Sequence, residues 1–97
     1  MVTQRQSYVY FLTNFLRTVL YIGVTTDLSR RIGQHRSSTV EGFSKKYHLS
    51  CLVYYEEIPT LLEAIKREKQ LKGWKRSKKE ALISKVNPEW KDMGQYL

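Results

Sequence analysis

Three side chains between residues 21 and 35 have the chemistry needed to act on an anionic group. Arg31 carries a permanent positive charge on a planar fork that suits oxyanions, whereas Tyr21 and His35 can donate or accept protons. Tyr21 lies in a strand-like run, and Arg31 and His35 follow on a predicted helix, four residues apart and therefore on neighbouring turns of one face. The sequence thus predicts a strand–turn–helix unit that brings the three side chains together.

The helix of this unit should start near the Thr-Asp pair at 26–27, since both side chains can cap the free N–H groups of a first turn. Leu28 and Ile32 lie one turn apart and define its buried face. Arg31 and His35 fall on or beside that face. A guanidinium and an imidazole in such a place need polar partners or a functional role.

Three short strands should frame this unit. The runs Ser7–Thr13 and Val19–Val24 are aromatic and β-branched and are separated by a turn at Asn14–Thr18, which predicts an antiparallel hairpin. Both runs are almost continuously apolar, so at least one of the two strands is expected to be covered on both faces. A third strand is predicted at Cys51–Glu57.

A second helix, predicted from about Thr60 to Lys72 and ended by Gly73, contributes an inward carboxylate. At 100° per residue, Glu68 lies within the apolar arc of this helix. Burying a carboxylate without a partner is costly, so Glu68 should face a cation in a cleft or pair with an arginine. Magnesium retains several water ligands, and one glutamate can therefore suffice to hold it. The predicted arc consists of Leu61, Leu62, Ala64, Ile65 and Leu71.

A third helix is expected to begin at a capping box, with Ser77 as N-cap and Glu80 at N3. Its inward side is expected to consist of Ala81, Leu82 and Ile83. A turn follows at Asn87–Trp90, and the tail beyond it should fray. Because no linker or internal repeat divides the chain, residues 1–97 are expected to form a single domain with its core at about 7–90.

Basic residues outnumber acidic residues by 17 to 9, which gives a net charge of +8. Clustered cations in so small a domain favour a polyanion partner, most often nucleic acid, over a merely solvated charged surface. The run Phe43–Tyr47 places two lysines between aromatic residues, which suits phosphate contact and base stacking, although the aromatics could equally pin the loop to the core. The candidate DNA-binding residues are Lys45, Lys46, Lys69, Lys72, Lys75, Arg76, Lys78 and Lys79.

Several classes of protein are disfavoured by composition. No apolar run approaches the roughly 20 residues of a membrane helix, so no membrane association is expected. The first residues lack the apolar segment of a signal peptide, which favours a cytoplasmic protein. Cys51 has no partner for an internal disulfide, and two histidines with one cysteine do not support a structural zinc site.

Each candidate site residue also has a structural interpretation. Arg31 could lay its stem along the core edge with its head in water, and His35 could be a hydrogen-bonded boundary residue. Glu68 could form an ion pair with Arg31 or with a neighbour in its own helix. Most of the seven tyrosines are expected to be packing residues in strands.

Taken in register, these residues resemble the GIY-YIG nuclease superfamily. Tyr8-Val9-Tyr10 and Tyr21-Ile22-Gly23 are similar to the two half-motifs. Tyr10 of the first and Tyr21 of the second are 11 positions apart, as the family's motif expects. Arg31 and His35 follow Tyr21 by 10 and 14 positions, where the family carries its arginine and often a histidine. Glu68 lies where the family has its metal-binding glutamate.

The resemblance covers the chain from Tyr8 to about Trp90 and is strongest to small stand-alone bacterial members, relatives of the nuclease domain of the excision-repair incision subunit. It implies an α/β (α+β) fold with a three-stranded antiparallel sheet flanked by helices. Tyr8 replaces the glycine of the first half-motif and could line the site. Asn87 could correspond to a late asparagine of some relatives. Repair and homing nucleases of the superfamily carry a second DNA-binding domain, so a protein partner that supplies specificity is expected here.

The activity implied by the resemblance is that of a divalent-metal-dependent DNA endonuclease, selective for DNA structure in repair or recombination. The alternative is a non-catalytic nucleic-acid-binding module on the same scaffold. In the catalytic hypothesis Glu68 holds one Mg²⁺ or Mn²⁺, and Arg31 neutralises a non-bridging phosphate oxygen. Tyr10 or Tyr21 acts as base toward a water or orients it, with His35 as a proton relay. The lysines hold the DNA backbone with little sequence readout.

Overall fold

Three strands form an antiparallel sheet at the centre of the molecule. A computed structural model describes residues 6–37 and 48–97 of the chain. Strands β1 (Ser7–Thr13), β2 (Leu20–Thr25) and β3 (Cys51–Ile58) are arranged in the order β2–β1–β3. Their bounds agree with the sequence prediction to within one residue, and the predicted β1–β2 hairpin is confirmed.

The central strand β1 is covered on both faces, as its apolar run predicts. Val9 and Phe11 point to one side of the sheet, whereas Tyr10 and Leu12 point to the other, and all four side chains are fully buried. Successive side chains of a strand alternate between faces, so this pattern requires a cover on each side. The two covers are provided by different helices.

The face of Val9 and Phe11 is covered by α2 (Leu61–Lys72) and α3 (Arg76–Val86). Thr60 caps α2, since its hydroxyl accepts the N–H of Glu63 at 3.2 Å, and Gly73 ends the helix as predicted. The inward residues of these helices are Ala64, Leu71 and Ile83.

The apolar arc predicted for α2 is only partly correct. Ala64 and Leu71 are fully buried, whereas Leu61, Leu62 and Ile65 are exposed. A three-stranded sheet is narrow, and α2 lies over β1 and β2. Only the line of residues that points straight at the sheet is covered. Leu61 and Ile65 lie farther round the helix, on the β2 side, and Leu62 lies on the solvent side, opposite to Ala64 and Leu71.

The capping box predicted for α3 is wrong. The helix begins at Arg76 with Lys75 at the N-cap, so Ser77 lies inside the first turn. Glu80 does not cap the backbone but pairs with Arg76, with Oε2 2.9 Å from Nε. Of the three residues predicted to face inward, Ile83 is buried, Leu82 is half-buried and Ala81 is exposed, because three consecutive helical residues span about 200° and cannot share one face.

The face of Tyr10 and Leu12 is covered by α1 (Leu28–Arg36). Asp27 caps this helix as predicted, since its Oδ1 accepts the N–H of Arg30 at 3.2 Å. Leu28 and Ile32 are buried on its inner side. The strand–turn–helix unit predicted from the sequence is therefore present and lies against the central strand.

The segment after the turn at Asn87–Trp90 is anchored, and the prediction that it frays is wrong. Asp92 Oδ1 accepts the N–H groups of Leu52 at 3.1 Å and Gly94 at 3.0 Å, and its other oxygen pairs with Arg36. A short 3₁₀ helix, Met93–Tyr96, follows. Across the described residues, no helix is long and apolar enough to span a bilayer.

Candidate active site

Tyr10 is the centre of a buried polar cluster between β1 and α1. Its hydroxyl oxygen lies 3.2 Å from His35 Nε2 and accepts a hydrogen bond from Arg31 Nε at 3.3 Å. Tyr10 is fully buried and His35 is 4% exposed, whereas Arg31 is half-buried. Three of the predicted site residues, from two elements, therefore meet at one phenolic oxygen.

Gly23 on β2 makes room for this arrangement. It is the cross-strand partner of Tyr10, so the two residues present their side-chain positions to the same face. A Cβ atom on Gly23 would lie 2.5 Å from Cζ of Tyr10 and would overlap the phenol. The glycine is thus required by the position of the Tyr10 ring, a role that sequence analysis did not assign to it.

Tyr21 adds a third ring to the cluster and is more accessible than Tyr10. Its ring centroid lies 6.2 Å from that of Tyr10 and 5.6 Å from that of His35. Tyr21 is half-buried, and its hydroxyl interacts electrostatically with the side chains of both Tyr10 and Arg31. Of the two tyrosines proposed from the sequence, only Tyr21 therefore combines contact with the cluster and access to solvent.

The cluster fixes the charge state of its members. Burial raises the pKa of Tyr10 to about 12, with hydrogen bonding from Arg31 opposing the shift, so the phenol is neutral near pH 7. The hydrogen bond with Tyr10 raises the pKa of Arg31. Burial, followed by repulsion from Arg31, lowers the pKa of His35. A neutral His35 can accept a proton at Nε2, so we assign the Tyr10 hydroxyl as donor to His35 and acceptor from Arg31.

Glu68 lies outside this cluster, on the other side of the sheet. Its side chain is 20% exposed and forms an ion pair with Lys72, one turn along α2, with Nζ 3.4 Å from Oε1. The intrahelical ion pair considered in the sequence analysis is thus present, and the alternative pair with Arg31 is not formed. Glu68 lies on α2, which covers the face of Val9 and Phe11. The Tyr10 side chain points to the other face, which α1 covers.

Residues from both faces of the sheet line a pocket at the edge strand β2. A pocket of about 340 Å³ lies at this edge, lined by the end of β2, by Arg31 on α1 and by Leu61 on α2. Arg67 points to β3 and Ala64 points to the sheet, so Glu68 lies on the opposite flank of α2, toward β2, on the side of Leu61. Arg31 and Glu68 therefore approach the same edge strand from the two faces of the sheet.

The donor set at Glu68 is compatible with one magnesium ion. No three His, Cys, Asp or Glu side chains converge on a common point within residues 6–37 and 48–97. Mg²⁺ is usually held by one or two carboxylates together with water and substrate phosphate, so it does not need such a cluster. The single half-buried carboxylate of Glu68 fits that pattern, and Lys72, whose side chain is 56% exposed, can swing away.

The predicted DNA-binding residues are distributed over α2 and the start of α3. Lys69, Lys72, Lys75 and Lys78 are exposed, and Lys78 Nζ lies 4.0 Å from the ring centroid of Trp74. Lys45 and Lys46 lie outside the described residues. We use the name cationic surface for the predicted DNA-binding residues within the described segments, of which Lys79 is half-buried and the other five are exposed: Lys69, Lys72, Lys75, Arg76, Lys78 and Lys79.

Two residues suggested by the resemblance have structural partners. The Tyr8 hydroxyl donates to Glu57 Oε1 at 3.2 Å, and its ring meets Tyr55 edge-on. Asn87 is buried, donates to the carbonyl of Val53 at 3.0 Å, and accepts the N–H of Lys91 at 3.0 Å. Asn87 therefore locks the turn after α3 onto the sheet and lies on the face opposite to the Tyr10 cluster.

A second polar cluster, which sequence analysis missed, sets the orientation of α2. Arg67 binds Glu56 in a bidentate manner, with Nε–Oε1 at 2.9 Å and Nη2–Oε2 at 3.0 Å, and Tyr54 donates to Glu56 Oε2 at 2.6 Å. Burial opposes ionisation of Glu56, but these hydrogen bonds outweigh it and lower its pKa. Tyr54 and Glu56, two residues apart in β3, were a detectable signal, since they must share one face. The pair fixes the rotation of α2 and hence the direction of Glu68.

The chain is similar to known proteins over most of its length. A model of the GIY-YIG catalytic domain matches residues 6–81. The UPF0213 protein SSP2268 of Staphylococcus saprophyticus is 38% identical over 65 residues, which cover 67% of this chain and 79% of that protein. A UPF0213 protein of Syntrophus aciditrophicus is 35% identical over 85 residues, which cover 87% of this chain and 95% of the relative.

A solved structure extends the similarity to three dimensions. The solution NMR structure of the UPF0213 protein BH0048 from Bacillus halodurans matches with a TM-score of 0.57 and 31% sequence identity. The match covers 90% of this chain and 92% of that one. The overall fold described above is thus similar to that of an experimentally determined relative.

Proposed function

Because the chain belongs to the GIY-YIG catalytic-domain family, we propose that it is a divalent-metal-dependent DNA endonuclease that hydrolyses phosphodiester bonds. The observation that carries the proposal is the convergence of Arg31 and His35 on the hydroxyl of Tyr10, with Tyr21 against the same rings. A polar cluster of this kind in a small core is expensive unless every member is satisfied and has a role. A permanent cation beside proton-transfer groups suits phosphodiester hydrolysis.

Arg31 is the proposed electrostatic catalyst. Phosphodiester hydrolysis places additional negative charge on the non-bridging oxygens as water attacks phosphorus. The Arg31 guanidinium lines the pocket at the β2 edge, where its Nε donates to Tyr10 at 3.3 Å and its Nη1 donates to Gln34 Oε1 at 3.2 Å. These two bonds hold the fork beside the pocket, where a bound phosphate would meet it. The fixed charge then stabilises the oxygen without reorganisation in the transition state.

Tyr21 is the proposed residue that orients and deprotonates the attacking water. It is half-buried and contacts the cluster, whereas the fully buried Tyr10, with a pKa raised to about 12, is a poor base toward water and acts as the proton relay between Tyr21 and His35. Water forms the new P–O bond and gives a proton to Tyr21, while the P–O bond to the leaving oxygen breaks and that oxygen takes a proton from solvent. Tyr21 passes a proton to the Tyr10 hydroxyl, which gives its own proton to His35 Nε2, a nitrogen that is neutral near pH 7.

Glu68 is the residue proposed to hold a Mg²⁺ or Mn²⁺ ion, as nucleases of this family generally use a divalent metal. When bound, the ion would neutralise charge on the scissile phosphate and stabilise the leaving oxygen. The exposed lysines of the cationic surface would hold the DNA backbone without reading sequence. A structure-selective role in repair or recombination, with a protein partner that adds specificity, is part of the proposal.

The decisive experiment is DNA cleavage by the purified protein. Supercoiled plasmid and a panel of nicked and branched duplexes are incubated with Mg²⁺, Mn²⁺ or EDTA. We expect metal-dependent cutting that Glu68→Gln and Arg31→Ala each reduce at least about 100-fold. Glu63→Gln is the matched control, since Glu63 is an exposed carboxylate on the same helix and should leave cutting unchanged.

Two outcomes would contradict the endonuclease proposal. If the protein binds DNA but cuts no substrate in either metal, the non-catalytic binding module is the better description. If Glu68→Gln and Arg31→Ala cut as well as the parent while remaining folded, the site assignment is wrong. Circular dichroism of each variant separates loss of activity from loss of fold.

A further inference from the structure

The tip of the β1–β2 hairpin presents two large apolar side chains to solvent. Phe15 is 88% exposed and Leu16 is 74% exposed, and they are adjacent in the chain. We define the hairpin tip as residues Asn14–Thr18. Single exposed apolar residues are ordinary on protein surfaces, but two neighbouring ones at the end of a projecting turn call for a physical explanation.

The hairpin tip is rigidly built from within. The Asn14 carbonyl accepts the N–H of Arg17 at 3.0 Å, which closes the turn around Phe15 and Leu16. The Asn14 side chain accepts the N–H groups of Thr18 at 2.9 Å and Val19 at 3.0 Å. Its amide also donates to Thr18 Oγ1 at 2.7 Å. One asparagine thus makes the backbone conformation that displays the two apolar side chains.

The hairpin tip is also braced from outside. Arg76, at the start of α3, donates to the carbonyls of Arg17 at 2.9 Å and Thr18 at 3.0 Å. Arg17 donates to the carbonyl of Glu89 at 2.9 Å, and its guanidinium lies 6.0 Å from the ring centroid of Trp90. Two arginines therefore anchor the turn to elements 58 to 72 residues away in sequence.

Backbone strain is concentrated at this anchor. Arg17 has φ 59° and Trp90 has φ 53°, in the left-handed region that favours glycine. These two strained residues contact each other. Strain persists where surrounding contacts over-determine it, and such places are often functional. The anchor keeps a costly conformation at the base of a turn whose apolar residues have almost no contact with the rest of the fold.

Nucleic acid fits the hairpin tip better than a protein partner does. A stable protein interface buries about 1,200–2,000 Å² in total, far more than two side chains at a turn can supply. Stacking on one or two bases requires only a small, rigid apolar surface. The surroundings are cationic, with Arg17 and Arg76 in the anchor and Lys75 beside it. The nearby carboxylates of Glu80 and Glu89 are paired with Arg76 and Lys91.

The hairpin tip lies within a short reach of the Tyr10 cluster. Phe15 follows Tyr10 by five residues, and the first three of these steps lie in β1. A fully extended chain spans about 3.4 Å per residue, so the two Cα atoms lie no more than about 17 Å apart, which is the length of about five stacked base pairs. A DNA strand with its phosphate at Arg31, which is bonded to Tyr10, can therefore reach the hairpin tip with bases a few nucleotides from the scissile bond.

From these observations we propose that Phe15 and Leu16 form a wedge that stacks on DNA bases exposed where base stacking is interrupted, such as a duplex end, a nick or a branch. The inference rests on the proposed function for the identity of the substrate, and it adds the surface that selects its structure. The wedge binds bases, whereas the cationic surface binds phosphates. A continuous duplex has no exposed base face on which the wedge can stack, so the protein binds it mainly through its phosphate backbone.

The proposal is tested by DNA binding in EDTA, which does not depend on cleavage. The probe is a duplex with a single-stranded overhang that carries 2-aminopurine at the first unpaired position. We expect Phe15→Ser with Leu16→Ser to weaken binding about 10-fold and to abolish the change in 2-aminopurine fluorescence. The dependence of Kd on salt should keep its slope, because no cation is removed. Lys75→Gln, in contrast, removes one phosphate contact and should reduce the slope of log Kd against log salt concentration by about 1.

The matched control is Leu62→Ser, an apolar side chain on α2 that is 64% exposed and far from the hairpin tip. It should change neither affinity nor fluorescence. All three substituted side chains are exposed, so the variants are expected to fold, and thermal unfolding verifies this. An unchanged affinity and fluorescence in the double variant overturns the wedge, whether or not the protein cuts DNA. A parent dimer that the double variant dissociates, with DNA affinity unchanged, overturns it in favour of contact between two copies.

Discussion

The phenol of Tyr10 occupies the space that Gly23 leaves empty on the neighbouring strand. The two residues are cross-strand partners, and a Cβ on Gly23 would lie 2.5 Å from Tyr10 Cζ. Because the Tyr10 hydroxyl is the meeting point of Arg31 and His35, the glycine controls the geometry of the whole cluster. The second half-motif thus has a steric component as well as a chemical one.

Gly23→Ala should therefore damage both stability and the cluster. The methyl group must displace a fully buried ring, an overpacking change that typically costs about 1–3 kcal/mol. Denaturant unfolding measures the loss. The matched control is Gly33→Ala on α1, where a Cβ would meet nothing within 4 Å and should stabilise the helix by about 0.5–1 kcal/mol. Equal effects of the two substitutions would show that the Gly23–Tyr10 contact is unimportant.

The activity should have an acid limb set by His35. Burial and the Arg31 charge lower the folded pKa of His35 below its usual 6.5, so Nε2 stays free to accept a proton at neutral pH. Cleavage should be constant near pH 7 and fall only as pH drops through the lowered pKa. Stability changes with the same sign: the unfolded chain takes up a proton near pH 6.5 and the folded chain does not, so the free energy of unfolding declines below that pH.

Arg31→Gln tests the cause of this shift. Removing the guanidinium removes the repulsion and should raise the pKa of His35 toward 6.5, although burial remains. The imidazole Hε1 resonance, assigned with His35→Gln, reports the titration by NMR. A His35 pKa that does not move in Arg31→Gln would mean that burial alone sets it.

The Glu56–Arg67 pair should stabilise the fold in a pH-dependent manner. Both side chains are less than one-third exposed, and Glu56→Gln should cost about 2 kcal/mol at neutral pH by replacing a charged bidentate pair. The folded pKa of Glu56 is lowered, so the stabilisation is complete above about pH 4.5 and is lost as pH falls through the folded value. Parent and variant should then converge in acid.

The exposed pair Arg76–Glu80 is the comparison for this experiment. Its side chains are 43% and 44% exposed, so Glu80→Gln should cost less than about 0.5 kcal/mol. Chemical denaturation as a function of pH measures both variants. A Glu56→Gln loss as small as that of Glu80→Gln would argue against the pair as the anchor of α2.

Lys72 should compete with metal at Glu68. Its ammonium lies 3.4 Å from the carboxylate, so Lys72→Gln should lower the Mg²⁺ concentration for half-maximal cleavage several-fold. Lys69→Gln removes an equal charge from the same helix and controls for weaker DNA binding. Equal Mg²⁺ curves for the two variants would contradict the assignment of Glu68 as the metal-holding residue.

Much of the fold was predictable because its signals are local. The apolar runs of β1 and β3, the Asp27 cap and the Gly73 stop each act over a few residues, and the structure has them within a residue of the predicted positions. The α3 start was mispredicted for the opposite reason. A capping box is a local pattern, but Arg76, the first residue of α3, donates hydrogen bonds to carbonyls of the hairpin tip that are 58 and 59 residues away in sequence. Those distant contacts cannot be read from the local pattern.

The sequence by itself determined which side chains share a helix face or a strand face, and so the pairing of Arg31 with His35 and the resemblance that links them to Tyr10 and Tyr21. These relations follow from fixed periods of 3.6 and 2 residues.

Only the tertiary structure decided that Tyr10 is buried while Tyr21 has access to solvent, and that Glu68 approaches the β2 edge from the other face of the sheet. It also decided that Phe15 and Leu16 project from an anchored turn. Burial, pKa shifts and the meeting of distant elements depend on how faces pack against one another, and packing is set by the whole chain rather than by any local spacing.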